Sequence, residues 1–374
     1  MQRRWAMWLP AVVVPVVIGV GVLAVPLTAG AAVDLPDKTP AEVLELAQTA
    51  EVSAFSGTIE QSSDLGLPDL SSLGSIGGSG SGSAGGSADS AASGTDISSA
   101  LELLTGSHTA RVFVDGTDAR LQVMDSLAER DVIATPDGVW IYDSEGASAT
   151  HITAPADGRS DAKKAPDVAD IPTPSAVATE LLTKLDPSTE VSVGTDATVA
   201  GRTVYELILT PRASDTLVGS VSIDVDSATG LPLGVAVLAA GSDVPAFSLA
   251  FSQLSLDAPD AALFDFTPPA GTTVTEQALP DADGFADHGD VAAPEHDGAE
   301  PTVIGTGWSS IVEIAASEVP AELADSPLLD TAAQAVDGGR VISTTLLSVL
   351  FTDDGRILAG AVPPAALEDA AAGR

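Results

Sequence analysis

The chain has no cysteine in 374 residues. That excludes disulfides, thiolate metal ligands and cysteine nucleophiles, and with them the acylated cysteine that anchors a bacterial lipoprotein. Basic residues are scarce: 15 Lys and Arg stand against 53 Asp and Glu, for a net charge of −38. A polyanion is repelled by such a surface, so nucleic acid is not an expected partner. Aromatic residues are only 4% of the chain, which leaves no stacking platforms for bases or sugars. Histidine is limited to His108, His151, His288 and His296, and no serine lies in a Gly-x-Ser-x-Gly strand-turn-helix context. Nothing here assembles a nucleophile with its base, so neither an enzyme nor a cofactor is expected.

What is present begins with a targeting segment. Arg3 and Arg4 precede a nearly unbroken apolar run from Trp5 to Thr28, and Ala29-Gly30-Ala31-Ala32 offers small residues suited to signal peptidase. The run is also long enough to span a bilayer. Residues 1–32 therefore read either as a cleaved signal peptide or as an uncleaved N-terminal anchor, with Pro10, Pro15 and Pro26 weighing against a clean helix. Both readings place the rest of the chain outside the cytoplasmic membrane, secreted or held in the cell envelope. With 45% hydrophobic residues, the remainder can build a core of Val, Leu, Ile and Ala without cross-links.

Punctuation along the chain is clear. Thr39-Pro40-Ala41-Glu42 predicts a capped helix running to about Ala50. Phe55 to Gln61 reads as a strand with Phe55, Gly57 and Ile59 on one face. Residues 74–94 are a Gly/Ser/Ala tract too poor in apolar side chains to offset ordering entropy. Its formal GxGxxG at Gly80–Gly85 lacks the flanking strand and acidic residue of a dinucleotide site. Ile97 to Leu104 reads as a short helix. Asp115-Gly116 and Asp137-Gly138 then sit between alternating segments, the strongest short-range hairpin signal. They predict strands at 108–114, 118–123, 130–134 and 139–142, with another at 148–153.

A second helix starts at Thr173-Pro174 and carries Val177, Leu181, Leu182 and Leu185. Strands are expected at 190–193, 203–209, 218–225, 233–239 and 247–254. Residues 277–301 form an acidic linker whose Asp281, Asp283, Asp287, His288, Asp290, Glu295, His296 and Asp297 match no EF-hand spacing, so it is read as solvated and no metal site is expected. A small β segment, 302–374, follows. It holds a strand at 308–314, one long strand at 340–351, its partner at 357–362 and a short helix after Pro363-Pro364.

The most informative stretch is Leu263-Phe264-Asp265-Phe266-Thr267-Pro268-Pro269-Ala270-Gly271-Thr272-Thr273-Val274. It reads as a short alternating strand broken by a Pro-Pro pair and a Gly turn. A run of hairpins closed by this motif resembles the outer-membrane lipoprotein carrier family, LolA, with its LolB, LppX and RseB/MucB relatives, over roughly residues 40–274. The resemblance implies an α+β, mainly antiparallel fold across residues 33–276: a half-open, incomplete β-barrel with two helices against its concave face. It also implies a non-catalytic function, the binding of lipid or lipoprotein acyl chains in the cell envelope. An alternative from the same superfamily is an envelope-stress sensor of RseB/MucB type, which binds an anti-sigma factor and carries a second, smaller domain. An envelope membrane protein is the partner that alternative implies.

The strands locate the expected cavity. Val221, Ile223 and Val225 alternate with Ser222 and Asp224, whereas Leu233 to Leu238 is apolar on both faces and needs cover on both. Phe247, Leu249 and Phe251 share one face, with Ser248 and Ser252 on the other. Two readings stand for these faces: a plain core packed by the helices, or an apolar cavity open to a lipid. Under the second, the ligand-binding residues are Val112, Val114, Leu207, Leu209, Val235, Val237, Phe247, Leu249 and Phe251, and release requires the helices to move.

Overall fold

The computed structural model describes residues 35–66, 107–124, 128–153, 172–278, 301–319 and 333–373. The leader, the Gly/Ser tract, the 97–104 segment and the acidic cluster between Asp281 and Asp297 lie outside the described residues. Helix α1 (Pro40–Gln48) begins at the capping box that the sequence predicts: the Glu42 N–H donates to the Thr39 hydroxyl, and the Glu42 carboxylate accepts from the Thr39 N–H at 2.8 Å. Val43 is its fully buried residue.

Strands β1 (Ala54–Ser63), β2 (His108–Asp115), β3 (Asp118–Met124), β4 (Glu129–Thr135), β5 (Gly138–Asp143) and β6 (Ser148–Thr153) form an antiparallel meander. Both Asp-Gly turns close hairpins, with Gly116 at a φ of 62° that L side chains rarely adopt. Helix α2 (Pro174–Thr183) follows, N-capped by the Thr173 hydroxyl. It ends two residues before Leu185, and the side chains it buries are Pro174, Ala178 and Leu182.

Next come β7 (Thr189–Val193), β8 (Ala197–Val199), β9 (Arg202–Pro211), β10 (Val218–Asp226), β11 (Pro232–Ala239) and β12 (Pro245–Ser255). Strand β12 returns to pair with β1, joining the two meanders. With β13 (Thr273–Ala278), the result is a 13-stranded sheet in the order β13-β6-β5-β4-β3-β2-β1-β12-β11-β10-β9-β7, with β8 also on β9. Its terminal strands do not meet, so the sheet is curved but open. The fold is α+β, mainly antiparallel, in the manner of a half-open barrel.

The Leu263–Val274 motif differs from expectation. Ala261–Leu263 is a single 3-10 turn, residues 264–272 are not strand, and β13 (Thr273–Ala278) starts only after the Gly271 turn. Pro268 and Pro269 lack the N–H groups that a ladder needs, which keeps this stretch off the sheet. Strand β13 then adds to β6 in parallel.

A second, 6-stranded sheet is built from β14 (Thr302–Ile304), β15 (Ile311–Ile314), β16 (Gln334–Val336), β17 (Gly339–Ser343), β18 (Ser348–Thr352) and β19 (Ile357–Gly360). Helix α3 (Pro364–Ala371) covers one face through Leu367, against Val341, Leu350 and Leu358. The expected long strand at 340–351 is two strands. The Thr344 hydroxyl accepts from the N–H groups of Leu346 and Leu347 and turns the chain back, the local side-chain competition that threonine brings to a backbone. The expected strand at 308–314 is shorter than predicted: Gly307–Ser309 is a 3-10 turn and the strand begins at Ile311.

The two sheets are hydrogen-bonded to each other. The Ala361 carbonyl accepts from the Leu217 N–H at 2.7 Å and the Thr216 hydroxyl at 2.8 Å; the Thr345 N–H donates to the Leu65 carbonyl at 2.9 Å; the Trp308 indole donates to the Thr189 hydroxyl at 2.9 Å. Leu346, from the turn between β17 and β18, is fully buried in the core of the large sheet.

Candidate functional site: the concave face of the large sheet

Residues directly opposite one another in neighbouring strands share a face, so the pairing register fixes which side chains meet. Leu209 pairs with Val221, Val221 with Val237, and Val237 with Phe247. Leu207 pairs with Ile223, Ile223 with Val235, Val235 with Leu249, and Leu249 with Gln61. Ile59 pairs with Phe251, Gly57 with Val112, and Phe55 with Val114. All nine residues expected to line a cavity therefore lie on one face. It is the helix-bearing face: they belong to one cluster with Val43 of α1 and with Ala178 and Leu182 of α2.

Each of the nine is buried. They pack against the helices and one another, so at these positions the concave side is a filled core. Two surface concavities lie elsewhere. One, of about 390 Å³, is bounded by Leu35 to Lys38, Val193 to Asp196 and Tyr205; the other, of about 240 Å³, lies around Arg340, Phe351 and Arg356.

Cover is uneven. Helix α1 rests on β7, β9 and β10, and α2 on β11 and β12. Over β3 to β5 burial differs from row to row: Ala119, Ala134 and Val139, one row along on the same face, are buried. Along the cross-strand row Val112–Leu121–Val132–Ile141, exposure is 0% at Val112 and 9% at Leu121. Val132 is half-buried and Ile141 is 43% exposed. Alternation in the sequence places Val132 and Ile141 on this face but does not give their exposure.

At the junction of β1 and β12 stands an aromatic pair. The Phe251 ring lies over Gly57, where a Cβ would come within 2.7 Å of it, so the niche exists because that residue is glycine. Phe55 meets the same ring edge-on, with centroids 6.0 Å apart. The covering segment itself is pinned at its start: the Leu35 N–H donates to Asp196 at 3.0 Å and the Tyr205 hydroxyl to the Pro36 carbonyl at 3.1 Å.

The opposite, convex face carries the motif. Leu263 to Phe266 crosses the sheet as a strap, with Phe266 at 5.4 Å from Trp140 and 5.5 Å from Tyr142. Arg120 donates to the Leu263 carbonyl at 3.1 Å and pairs with the buried Asp131. Burial holds the Asp131 carboxyl above its ordinary value, against the pull of Arg120. The recognisable sequence thus fastens the back of the sheet and does not line the concave side. His151 stacks flat on Trp140 at 4.1 Å and bonds Glu276 at 2.9 Å, which ties β13 to β6. Among the described residues no group of three or more His, Asp or Glu is placed to hold a metal ion, and no helix is long and apolar enough to cross a membrane.

No protein-family model matches the chain, and no curated protein matches it in sequence. Solved structures do. Pseudomonas aeruginosa MucB, in its complex with MucA, is similar at a TM-score of 0.41 and 17% identity, over 88% of this chain and 95% of that one. A LolA-superfamily protein from Nitrosomonas europaea is similar at 0.22 and 10%, over 62% and 99%. A putative outer membrane lipoprotein-sorting protein domain from Vibrio parahaemolyticus is similar at 0.24 and 11%, over 60% and 97%.

Proposed function

We propose that this protein is a non-catalytic binding protein of the cell envelope that takes acyl chains of a lipid or lipoprotein onto the concave face of its large sheet. The observation that carries the reading is the set of apolar residues of β9 to β12, β1 and β2 that share one face and one core with helices α1 and α2. Each methylene moved from water onto such a face contributes about 0.8 kcal/mol, so a long chain gains useful affinity with no charged contact. In the structure the covered half is packed, so a chain that reaches Leu207, Val235 or Leu249 displaces a helix. That is compatible with the small anchorage of α1, which buries Val43 alone among its residues.

The test is native mass spectrometry with lipid extraction on protein taken from its own envelope, followed by titration of delipidated protein with a fluorescent long-chain fatty acid. A co-purifying acyl species and saturable binding are expected. Absence of both overturns the reading. A second reading, a sensor that passes acyl occupancy to a protein partner, is favoured by one feature: Leu346 reaches from the small sheet into the same core that an acyl chain would enter. A co-purifying protein without lipid would favour that reading over the carrier.

A further inference from the structure

We infer that the outer edge of β13 is a docking site for an extended segment of another protein, which adds to the large sheet as a further strand and sets a basic residue against Glu276. The site is separate from the acyl-binding face, and neither reading depends on the other.

Three observations carry it. First, β13 ends the sheet beyond β6, and among the described residues nothing pairs with its other side. The Thr273 N–H donates to the Ala147 carbonyl, in the turn before β6, at 2.8 Å. The backbone groups of Thr273, Thr275 and Gln277 therefore face β6, and those of Val274 and Glu276 alternate with them and point outward. Residues 273–277 are all exposed. An outward series of N–H and C=O groups is matched by an extended polypeptide, whereas a hydrocarbon chain has no group to offer it.

Second, this edge lacks the features that keep strand edges from pairing. Its sequence, TVTEQA, has no Pro, Lys or Arg. Its register on β6 is unbroken from Thr273 and Ser148 to Ala278 and Thr153, with no bulge. The other edges are shorter or covered. Strands β14 and β16, which end the small sheet, have three residues each. Strand β7, at the far end of the large sheet, is touched by α1 and by the Trp308 indole at Thr189. Strand β13 is also held as a fixed template: His151, stacked on Trp140, bonds Glu276 at 2.9 Å, and Phe266 packs the preceding strap onto Trp140 and Tyr142.

Third, the side chains specify the partner. Val274 continues the convex row Tyr142–Ala149–Val274 and is 45% exposed, while Ala149 beside it is buried. Two residues on, and on the same face, the Glu276 side chain is 63% exposed. Cross-strand neighbours on one face select each other by contact and charge. The added strand therefore presents an aliphatic residue to Val274 and Lys or Arg to Glu276, two positions apart. A second copy of this chain does not fit: β13 has no cation to offer, and two chains of net charge −38 repel. A basic segment is drawn in by that same field.

The experiment titrates the full chain with a capped, fluorescent peptide, Thr-Val-Thr-Lys-Thr-Val-Thr, whose order meets Val274 and Glu276 in either strand direction. Saturable binding by anisotropy is expected, with slowed amide exchange in 273–278 and no change in β7. Replacing the peptide's Lys by Glu should weaken binding about fivefold, and high salt should remove most of that difference. Val274→Pro deletes an outward N–H and leaves the bonds to β6 in place, so binding should fall about tenfold or more at an unchanged melting temperature. Glu276→Lys should reverse the preference between the two peptides, which tests the site independently of the proline variant. No binding by the native protein, equal binding by the native and Val274→Pro proteins, or protection at another edge overturns the inference. So does a dimer that Val274→Pro dissociates, which gives the edge to a second copy. None of these results bears on acyl binding.

Discussion

Asp224 gives the sharpest quantitative prediction, because it is a carboxylate in an unfavourable place. It lies on the convex side of β10, opposite Glu206 of β9 and Gly234 of β11. A Cβ on Gly234 would sit 2.7 Å from its Oδ2, so the carboxylate leans into space that glycine leaves open. Burial, and secondarily the like charge of Glu206, push its carboxyl up from 3.8 to about 6. The folded state then binds a proton that the unfolded state has already released between those two values. Stability from this group therefore falls as pH rises from about 4 to about 6, and stays low above that. A displacement of that size corresponds to at most about 3 kcal/mol. Asp224→Asn removes the penalty without changing shape. It should stabilise the protein by up to about 3 kcal/mol at pH 7.5 and by nearly nothing at pH 4. Urea unfolding of both proteins at the two pH values measures the difference directly, and other titrating groups cancel in the comparison. An equal effect at both pH values, or destabilisation at pH 7.5, would refute the reasoning.

Three further outcomes follow from other contacts. Arg202 donates to both carboxylate oxygens of the buried Asp226, each at 2.8 Å, with Thr229 adding two bonds. Burial pulls the Asp226 carboxyl up, but these bonds outweigh it and hold it below its ordinary value. Arg202→Ala should therefore cost about 3–5 kcal/mol at neutral pH, and the deficit should shrink as acid protonates Asp226, the opposite trend to Asp224. Leu346→Ala should cost about 2–5 kcal/mol in a thermal or urea melt, despite lying in the small sheet, because its side chain fills the core of the large one. Gly230 has a φ of 78°, and a Cβ there would stand 2.1 Å from the Leu46 carbonyl of α1. Gly230→Ala should cost more than about 1 kcal/mol and show α1 amides exchanging faster than those of β9.

How much of this was legible in the sequence depends on whether the signal is local. The hairpins at Asp115-Gly116 and Asp137-Gly138 are legible because the turn residue and the alternation are contiguous, and the capping box at Thr39–Glu42 is legible for the same reason. Strands of three residues, such as Ala197–Val199 and Gln334–Val336, show no period and were missed. Arg340 to Phe351 appeared as one strand because the apolar pattern resumes after Ser343-Thr344-Thr345; what breaks it is a hydroxyl-to-backbone turn that hydropathy does not register. For the site, alternation correctly put Leu207, Val235 and Leu249 among inward-facing residues. It could not show that Ile141, between Trp140 and Tyr142, is exposed whereas Val112 is not. Both are aliphatic residues in alternating strands, so the pattern alone does not distinguish them.

The pairing of β12 with β1 matters most here, and it is the least local feature in the fold. Ser56 meets Ser255 and Ser63 meets Phe247 across nearly two hundred residues, so no window of sequence contains the junction. It nevertheless determines the function proposed. Without it the β1–β6 meander and the β7–β12 meander are two separate sheets, each with its own apolar face. With it they share a face and one buried core, which holds Val112, Val114 and Leu121 together with Leu207, Val235 and Leu249. The bulge at Thr58/Ile59 lies in this same pairing, one residue from Gly57 and opposite the Phe251 stretch. An irregular ladder and a missing side chain thus coincide at the one position where the two halves meet. A side chain at position 57 would have to displace that ring. In this fold the junction that joins the two halves of the sheet is also the place where the Phe251 ring takes the space a side chain at position 57 would fill.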